Sequence, residues 1–536
     1  MQIKNYAFGD LPFSKLFKTY VENFEDVADF YAVNPFSSDD LKNYAKSFTF
    51  RGDREQSASL LHSFNQQFDV DEATFKNIER LKQADSLAIV SGQQLGLYSG
   101  PVFTLLKAIT AIQMARQMEK LLNRPVIPVF WLADEDHDYE EIRSLSLLNN
   151  DLESFALPPR ESDLPPVSEL SLPDEIEELR SEIQGTLIDT EFSDELWTML
   201  DQCFYSGATF LTAFGNFLAR LFSKHGLVLA GSHHPAIKEQ IKEPLITAVK
   251  KADDLHQNLE RQSQHIEQKF HRQATVYDSH LFYIHPENGR EKIQRSDEFW
   301  TTASGIKWTS ADLTAKIESN PARFSPDVFL RPVLQDRLLP TLGYAAGPGE
   351  LAYYGQMKSF YRCFDQQMPA ILPRLSVTFI EPAIDRVLQE LPFDIDEYNN
   401  RIEDLESAFV ERTGEVDIEA IFDSWKAEER EVTSSHLETI SSIDETLEGA
   451  VEKAQATYFN ELNKLKGKVY KAVKKRKNIQ LNRIHRIRQN LFPGGQLQER
   501  TICGIYYMNK FGPDIWDRLL DHLEEMTLND HKLIYL

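Results

Sequence analysis

Residues 86–133 read SLAIV, SGQQLGLYSGP, VFTLLKAITAIQMARQMEKLL, NRP and VIPVFWLA in succession, and the fold class follows from that order. Residues 86–90 form a short apolar run of strand type. The glycine-rich loop 91–101 ends in Pro101, which suits a first helical turn. In the next segment Leu105, Ile109, Ile112 and Ala115 recur at helical spacing. Asn123-Arg124-Pro125 ends the helix, and 126–133 reads as a second buried strand. Strand, loop, helix and buried strand make a βαβ unit, whose two strands are parallel and covered by helices.

Outward from this unit, residues 1–382 read as one discontinuous α/β core. The expected parts are 1–145 for the first core segment, 146–220 for a mainly helical insertion with a Pro-rich break at 157–166, and 221–245 for a core strand (GLVLAG, 226–231) and helix. A small β-containing insertion at 246–320 turns at Asn288-Gly289, and 321–382 completes the core with AILPRLSVTFI (370–380) as a strand. Residues 383–492 lose the strand pattern. Apolar positions from Leu437 to Leu491 step by three and four apart from one seven-residue gap, predicting a helix of about 60 residues, or about 90 Å, which argues for a coiled coil. The stretch 384–412 is its antiparallel partner, and 493–536 packs back on the core.

Composition bounds the function. The chain has 536 residues, 58 Lys+Arg against 83 Asp+Glu, and a net charge of -25. Such a surface repels nucleic acid except at a local basic patch. One exists at 464–488, with eleven Lys/Arg and no acid, but the acidic run before it (Glu428, Glu429, Glu431, Glu438, Asp444, Glu445, Glu448) accounts for it as charge pairing between coiled-coil strands. Three scattered cysteines exclude a disulfide framework and leave no structural zinc spacing. With no signal-peptide pattern and no apolar stretch long enough for a membrane span, a soluble cytoplasmic protein is expected.

Three segments carry candidate chemistry. Gly92, Gly96 and Gly100 lie between a strand and a helix, where backbone approaches a ligand. WLADEDHDYEE (131–141) puts six acids in eight residues at a strand's carboxyl end, the usual crevice of open α/β sheets. Asp134, Glu135, Asp136 and Asp138 there suit an ammonium group or Mg²⁺ with a nucleotide, and His137 suits acid–base work. Phe324–Lys358 supplies Arg331, Gln335, a Gly347-Pro348-Gly349 turn and Glu350. Arg331 and Arg374 are candidates for bidentate bonds to carboxylate or phosphate.

Read together, SGQQLGLYSGPVFTLLKAI, PVFWLADEDHDYEEI, FSPDVFLRPVLQDRLLP, GYAAGPGELAYYGQMK, MPAILPRLS and LFPGGQLQER resemble the bacillithiol-biosynthesis cysteine-adding enzyme family. The resemblance implies a Rossmann-like core with connecting-peptide insertions, akin to class I aminoacyl-tRNA synthetases, and a coiled coil that makes a homodimer. The implied activity joins cysteine to glucosaminyl-malate as an ATP-dependent amide ligase. Glu135, Asp136 and His137 would then be catalytic. Gln93, Gln94, Tyr98, Asp134, Asp138, Arg331, Gln335, Tyr344, Glu350, Tyr353 and Arg374 would bind substrates. Gly92, Gly96, Gly100, Gly347 and Gly349, with Gln498, Arg500, Asn509 and Lys510, would serve the nucleotide, with Mg²⁺ alongside and no zinc. The HIGH and KMSKS signatures of the synthetases are absent, and GSHHP (231–235) stands where a more acidic stretch is expected. Alternatives from other classes remain: a catalytically silent nucleotide- or sugar-binding protein, or an RNA-binding protein acting through 464–488.

Overall fold

A computed structural model describes the whole chain except residues 150, 161–164, 297 and 415–416. It divides into two units, residues 1–379 with 497–536, and residues 380–496.

The first unit is built on a five-stranded sheet: β1 (Leu87–Gln93), β2 (Val126–Leu132), β3 (Val228–Ala230), β4 (Thr341–Ala346) and β5 (Ala370–Pro373). The spatial order is β3-β2-β1-β4-β5, with every pair parallel. Apolar runs such as VIPVFWL stay buried along their full length because helices cover both faces. The helix Phe103–Leu122 crosses from β1 to β2 and packs on both. Strand order reverses between β1 and β4, so a crevice opens outside their carboxyl ends. Gly343 in β4 is needed for packing, since a Cβ there would meet Leu372 Cδ1 at 2.8 Å.

Several elements differ from expectation. Residues 370–380 are two strands: the first is β5, while Val377–Ile380 joins a separate sheet with Gln2–Tyr6 and His531–Tyr535. The break has a cause, because Leu375 N–H donates to Thr110 Oγ1 and Val377 N–H to the buried Glu499. A hairpin, Ser144–Leu148 with Leu152–Ala156, precedes the helices of the first insertion. The Pro-rich break at 157–166 falls partly on 161–164, outside the described residues. Leu281–His285 and Gly289–Lys292 pair antiparallel, with Gly289 at φ +75° in the turn.

In the second unit the long helix is interrupted. Ile418–Ser441 turns at 442–447 into Glu448–Arg476, and Asn478–Leu491 follows. Asp444 caps the turn by accepting Thr446 N–H. Ile418–Ser441 is therefore the main antiparallel partner, with Ile402–Thr413 packed beside both later helices. Among the described residues the basic run pairs with Glu419 (to Lys466), Glu406 (to Lys474, 3.0 Å, and His485, 2.8 Å) and Glu390 (to Arg483) rather than with the acids at 428–448. No helix among the described residues is long and apolar enough to cross a membrane.

Candidate functional site

The crevice at the β1/β4 reversal is a cleft of about 480 Å³. Its walls come from the ends of β1 (Gly92, Gln93, Gln94), β2 (Trp131, Ala133, Asp136) and β4 (Tyr344, Gly347, Gly349, Glu350), with Lys107, Arg331, Tyr353, Arg374 and Arg500. Twelve of the candidates read from sequence thus meet in one place: Gly92, Gln93, Gln94, Asp136, Arg331, Tyr344, Gly347, Gly349, Glu350, Tyr353, Arg374 and Arg500.

Lys107 organises the floor. It is the one charged residue in the apolar first half of its helix, and its ammonium reaches Glu350 Oε2 (2.6 Å), Gly92 O (2.8 Å) and Gln93 Oε1 (2.9 Å). Burial pushes the Glu350 carboxyl up, but Lys107, the Gly347 N–H and the Tyr344 hydroxyl together hold it below the usual carboxylate range.

The arginines differ in availability. Arg374 is buried and spent on Glu499 (2.7 Å) and Leu375 O (2.7 Å), so it helps shape the cleft as an ion-pair member. Arg331 donates to Gln335 Oε1 (3.1 Å), and the Gln335 amide donates to Asp336 Oδ1 (3.0 Å). Arg331 and Arg500 have no carboxylate at ion-pair distance among the described residues. They are the cleft's uncommitted positive charges.

The other candidates lie elsewhere. Tyr98 packs on Phe204 and Trp197. Gly96 and Gly100 donate their N–H groups within the loop, to Gln94 O and Leu97 O, while Val102 N–H at the start of the following helix donates to Ile502 O. A run of positive φ at Tyr98, Ser99 and Gly100 folds the loop on itself. Gln498 bonds the Phe379 backbone in both directions, Asn509 donates to Ile188 O, and Lys510 donates to the Tyr506 hydroxyl. Gln335 is buried behind Arg331.

The acidic segment splits among three places. Asp134 accepts Ser232 and His233 N–H (3.0 and 3.1 Å), and burial together with Glu135 pushes its carboxyl up to about 6. Glu135 pairs with Lys238 and accepts the Ser232 hydroxyl. Asp138 caps the turn Tyr139–Ile142. Asp136 lines the cleft, held by Gln94 Nε2 (2.8 Å) and the next two backbone N–H groups. His137 lines a neighbouring cavity with His233 and His285. Its Nδ1–H donates to Glu135 O (3.0 Å), and burial with nearby Arg290 lowers its pKa, leaving a neutral ring whose Nε2 carries a lone pair. Among the described residues no three His, Cys, Asp or Glu side chains cluster as metal ligands.

Lys107, Phe103, Glu499 and Arg290 were missed from sequence. Lys107 had a readable signal, a lone cation inside an apolar helical stretch. Arg290 had none, because its role depends on how the hairpin folds back.

Fold and site together define an α/β protein with a Rossmann-like order, a polar ligand cleft at the switch point and an added helical coiled-coil unit. Residues 1–375 match the family model "Bacillithiol biosynthesis BshC, N-terminal Rossmann-like domain", and residues 377–536 match its C-terminal coiled-coil domain. The chain belongs to the bacillithiol biosynthesis BshC family. Relatives named "Putative cysteine ligase BshC" include one from Salinibacter ruber, 32% identical over 96% of this chain and 95% of its own. Others are from Chloroherpeton thalassium (31%, over 98% of each chain) and Geobacillus kaustophilus (30%, over 90% and 91%).

Proposed function

We infer that the chain is a cysteine ligase that forms an amide between the carboxyl of L-cysteine and the amine of glucosaminyl-malate, consuming ATP, and that it works as a cytoplasmic homodimer. The observation that carries this reading is a cleft at the sheet's switch point with two uncommitted guanidiniums, Arg331 and Arg500, beside the Asp136 carboxylate. Anionic and amine-bearing reactants suit that pairing.

In the first step a cysteine carboxylate oxygen attacks phosphorus and displaces either ADP or pyrophosphate. In the second the sugar amine attacks the acyl carbon. The C–N bond forms, the C–O bond to phosphate or AMP breaks, and the amine gives up its proton. Asp136 and Glu141 are the members of the acidic segment on the cleft wall, and Asp136 can receive it; His137 faces the neighbouring cavity. Arg500 offers positive charge to phosphoryl oxygens, while the three Lys107 N–H groups are taken by Glu350, Gly92 O and Gln93 Oε1. The Gly347 N–H is already taken by Glu350, so the Gly-Pro-Gly turn contributes shape more than phosphate donors.

Mass spectrometry of protein incubated with glucosaminyl-malate, cysteine, ATP and Mg²⁺ tests the reading. Bacillithiol should form with stoichiometric loss of ATP, AMP marking adenylation and ADP an acyl phosphate. Absence of the thiol product from folded protein overturns it. His137→Ala and Asp136→Asn should each abolish product while leaving the dimer intact.

A further inference from the structure

Beyond the cleft's inner wall lies a smaller chamber of about 170 Å³, lined by Trp131, Ala133, Asp134, Glu135, Asp136, Ser232, Arg290, Pro326, Asp327, Val328 and Arg331. At about 30 Å³ per water this is the room of roughly six waters, the scale of one small metabolite. It shares Trp131, Ala133, Asp136, Val328 and Arg331 with the large cleft, so the two adjoin.

The chamber's charges are unevenly spent. Asp134 is saturated by two backbone N–H groups and Glu135 by Lys238 and Ser232. Asp327 accepts the Phe329 and Leu330 N–H groups and pairs with His280 at 2.8 Å. Asp136, held by Gln94 and the adjacent backbone, has no cation at ion-pair distance among the described residues and is the one of the four that also lines the large cleft. On the positive side Arg290 reaches in from the hairpin of the second insertion. Its Nε and Nη2 donate to Ser325 Oγ (2.9 Å) and Pro326 O (2.8 Å), and its guanidinium lies 3.7 Å over the Phe282 ring. Neither it nor Arg331 has a carboxylate at ion-pair distance among the described residues. Burial lowers the Arg290 pKa while Glu135, Asp136 and Asp327 oppose it, which places all three acids near this cation.

Two guanidiniums without a carboxylate at ion-pair distance among the described residues, and the one carboxylate the chamber shares with the large cleft, surround a small cavity with a Trp–Pro–Val wall and match a compound carrying both charges at one end and a short side chain. We propose that this chamber is the receptor for the free amino acid, its carboxylate held between Arg290 and Arg331, its ammonium on Asp136 and its side chain against Trp131 and Val328. The large cleft then takes the bulkier acceptor, and Arg331 presents the carboxylate at the boundary where the two meet. Arg290 thereby ties amino-acid binding to the hairpin insertion, 158 residues from β2 in sequence. This inference rests on the ligase reading for the identity of the amino acid as cysteine, but its charge logic does not.

Calorimetry on the full-length protein without ATP or acceptor tests it with three thiols: L-cysteine, cysteamine (no carboxylate) and 3-mercaptopropionate (no ammonium). Cysteine should bind, and each truncated thiol should bind at least tenfold more weakly, as expected when a charge-assisted hydrogen bond is lost. Equal binding by either truncated thiol, or no binding of cysteine at millimolar concentration, overturns the proposal without need of any variant. Arg290→Gln should raise KM for cysteine tenfold to a hundredfold and leave KM for glucosaminyl-malate unchanged; an unchanged cysteine KM in a folded variant overturns it. Product formation with that unchanged KM would sink the chamber and keep the ligase. Selective cysteine binding without any product would do the reverse.

Discussion

Lys107 Nζ lies 2.6 Å from Glu350 Oε2, and this buried pair joins the helix after β1 to the helix after β4 across the point where strand order reverses. The lysine side chain is 5% exposed and the glutamate 21%. Removing one partner leaves a buried charge without compensation, which costs about 3–5 kcal/mol. Lys107→Met should lower the denaturation midpoint of the first unit's transition accordingly. The double variant Lys107→Met/Glu350→Gln should recover part of the loss, since neither charge is then stranded. A single variant as stable as the parent would show that the pair does not hold the two halves of the sheet together.

Behind Arg331 sits a carboxyl that titrates in the physiological range. Burial pushes Asp336 up to about 7, against hydrogen bonds from Tyr361 and Gln335 that pull it down. The folded protein therefore holds this proton over a pH window, from about 4 to about 7, in which the unfolded chain has released it. Folding is favoured by that proton at low pH, and the contribution is lost as pH rises through the window, with a slope of up to about 1.4 kcal/mol per pH unit. Asp336→Asn removes the titration. The variant's stability relative to the parent should rise between pH 5 and pH 8, and unfolding curves at several pH values will show it. A constant difference would mean that Asp336 is ionised throughout.

Why the sequence revealed some features and hid others can be argued from these residues. The β1–helix–β2 unit was legible because periodicity changes within it while both strands stay apolar along their length. The cleft was legible where ligand groups follow a strand directly, as Gln93, Asp136 and Glu350 do. The pairing of Arg374 and the place of Gln498 were not legible because their partners, Glu499 and the Phe379 backbone, lie more than a hundred residues away. Gly96 and Gly100 read as ligand-binding glycines but serve a loop that closes on itself, a distinction of hydrogen-bond accounting that composition does not carry. The turn at 442–447 falls on the one seven-residue gap in the apolar pattern, Ile440 to Leu447, which a continuous helix also accommodates because seven residues are close to two helical turns.

Arg500 lies over the Phe103 ring, centroid distance 5.9 Å, and is exposed at the cleft. With no ion pair among the described residues to break, Arg500→Met should change stability by less than about 0.5 kcal/mol. Loss of a hydrogen bond to a charged group is worth about 1.5–3 kcal/mol, or roughly tenfold to a hundredfold in KM for the anionic reactant it contacts. Separate titrations of ATP and glucosaminyl-malate will identify that reactant. Unchanged KM values for both would remove Arg500 from the binding surface.

In the helical unit Val410, Ile418, Phe422 and Leu462 form one buried apolar cluster. Ile421, Trp425 and Val432 stay exposed at 48%, 41% and 59%. Spacings of four and seven put these three on one face of Ile418–Ser441, a stripe with the geometry of a coiled-coil seam. An apolar stripe on a long helix is costly to leave in water, and a second copy of the same chain can cover it symmetrically. Light scattering should give twice the chain mass for the parent protein. Trp425→Glu/Val432→Glu places like charges on the seam and should give one chain mass, with the helical content retained because both positions are exposed. A parent protein that is monomeric at all concentrations, or a doubly substituted protein that still dimerises, would rule out this face as the homodimer contact.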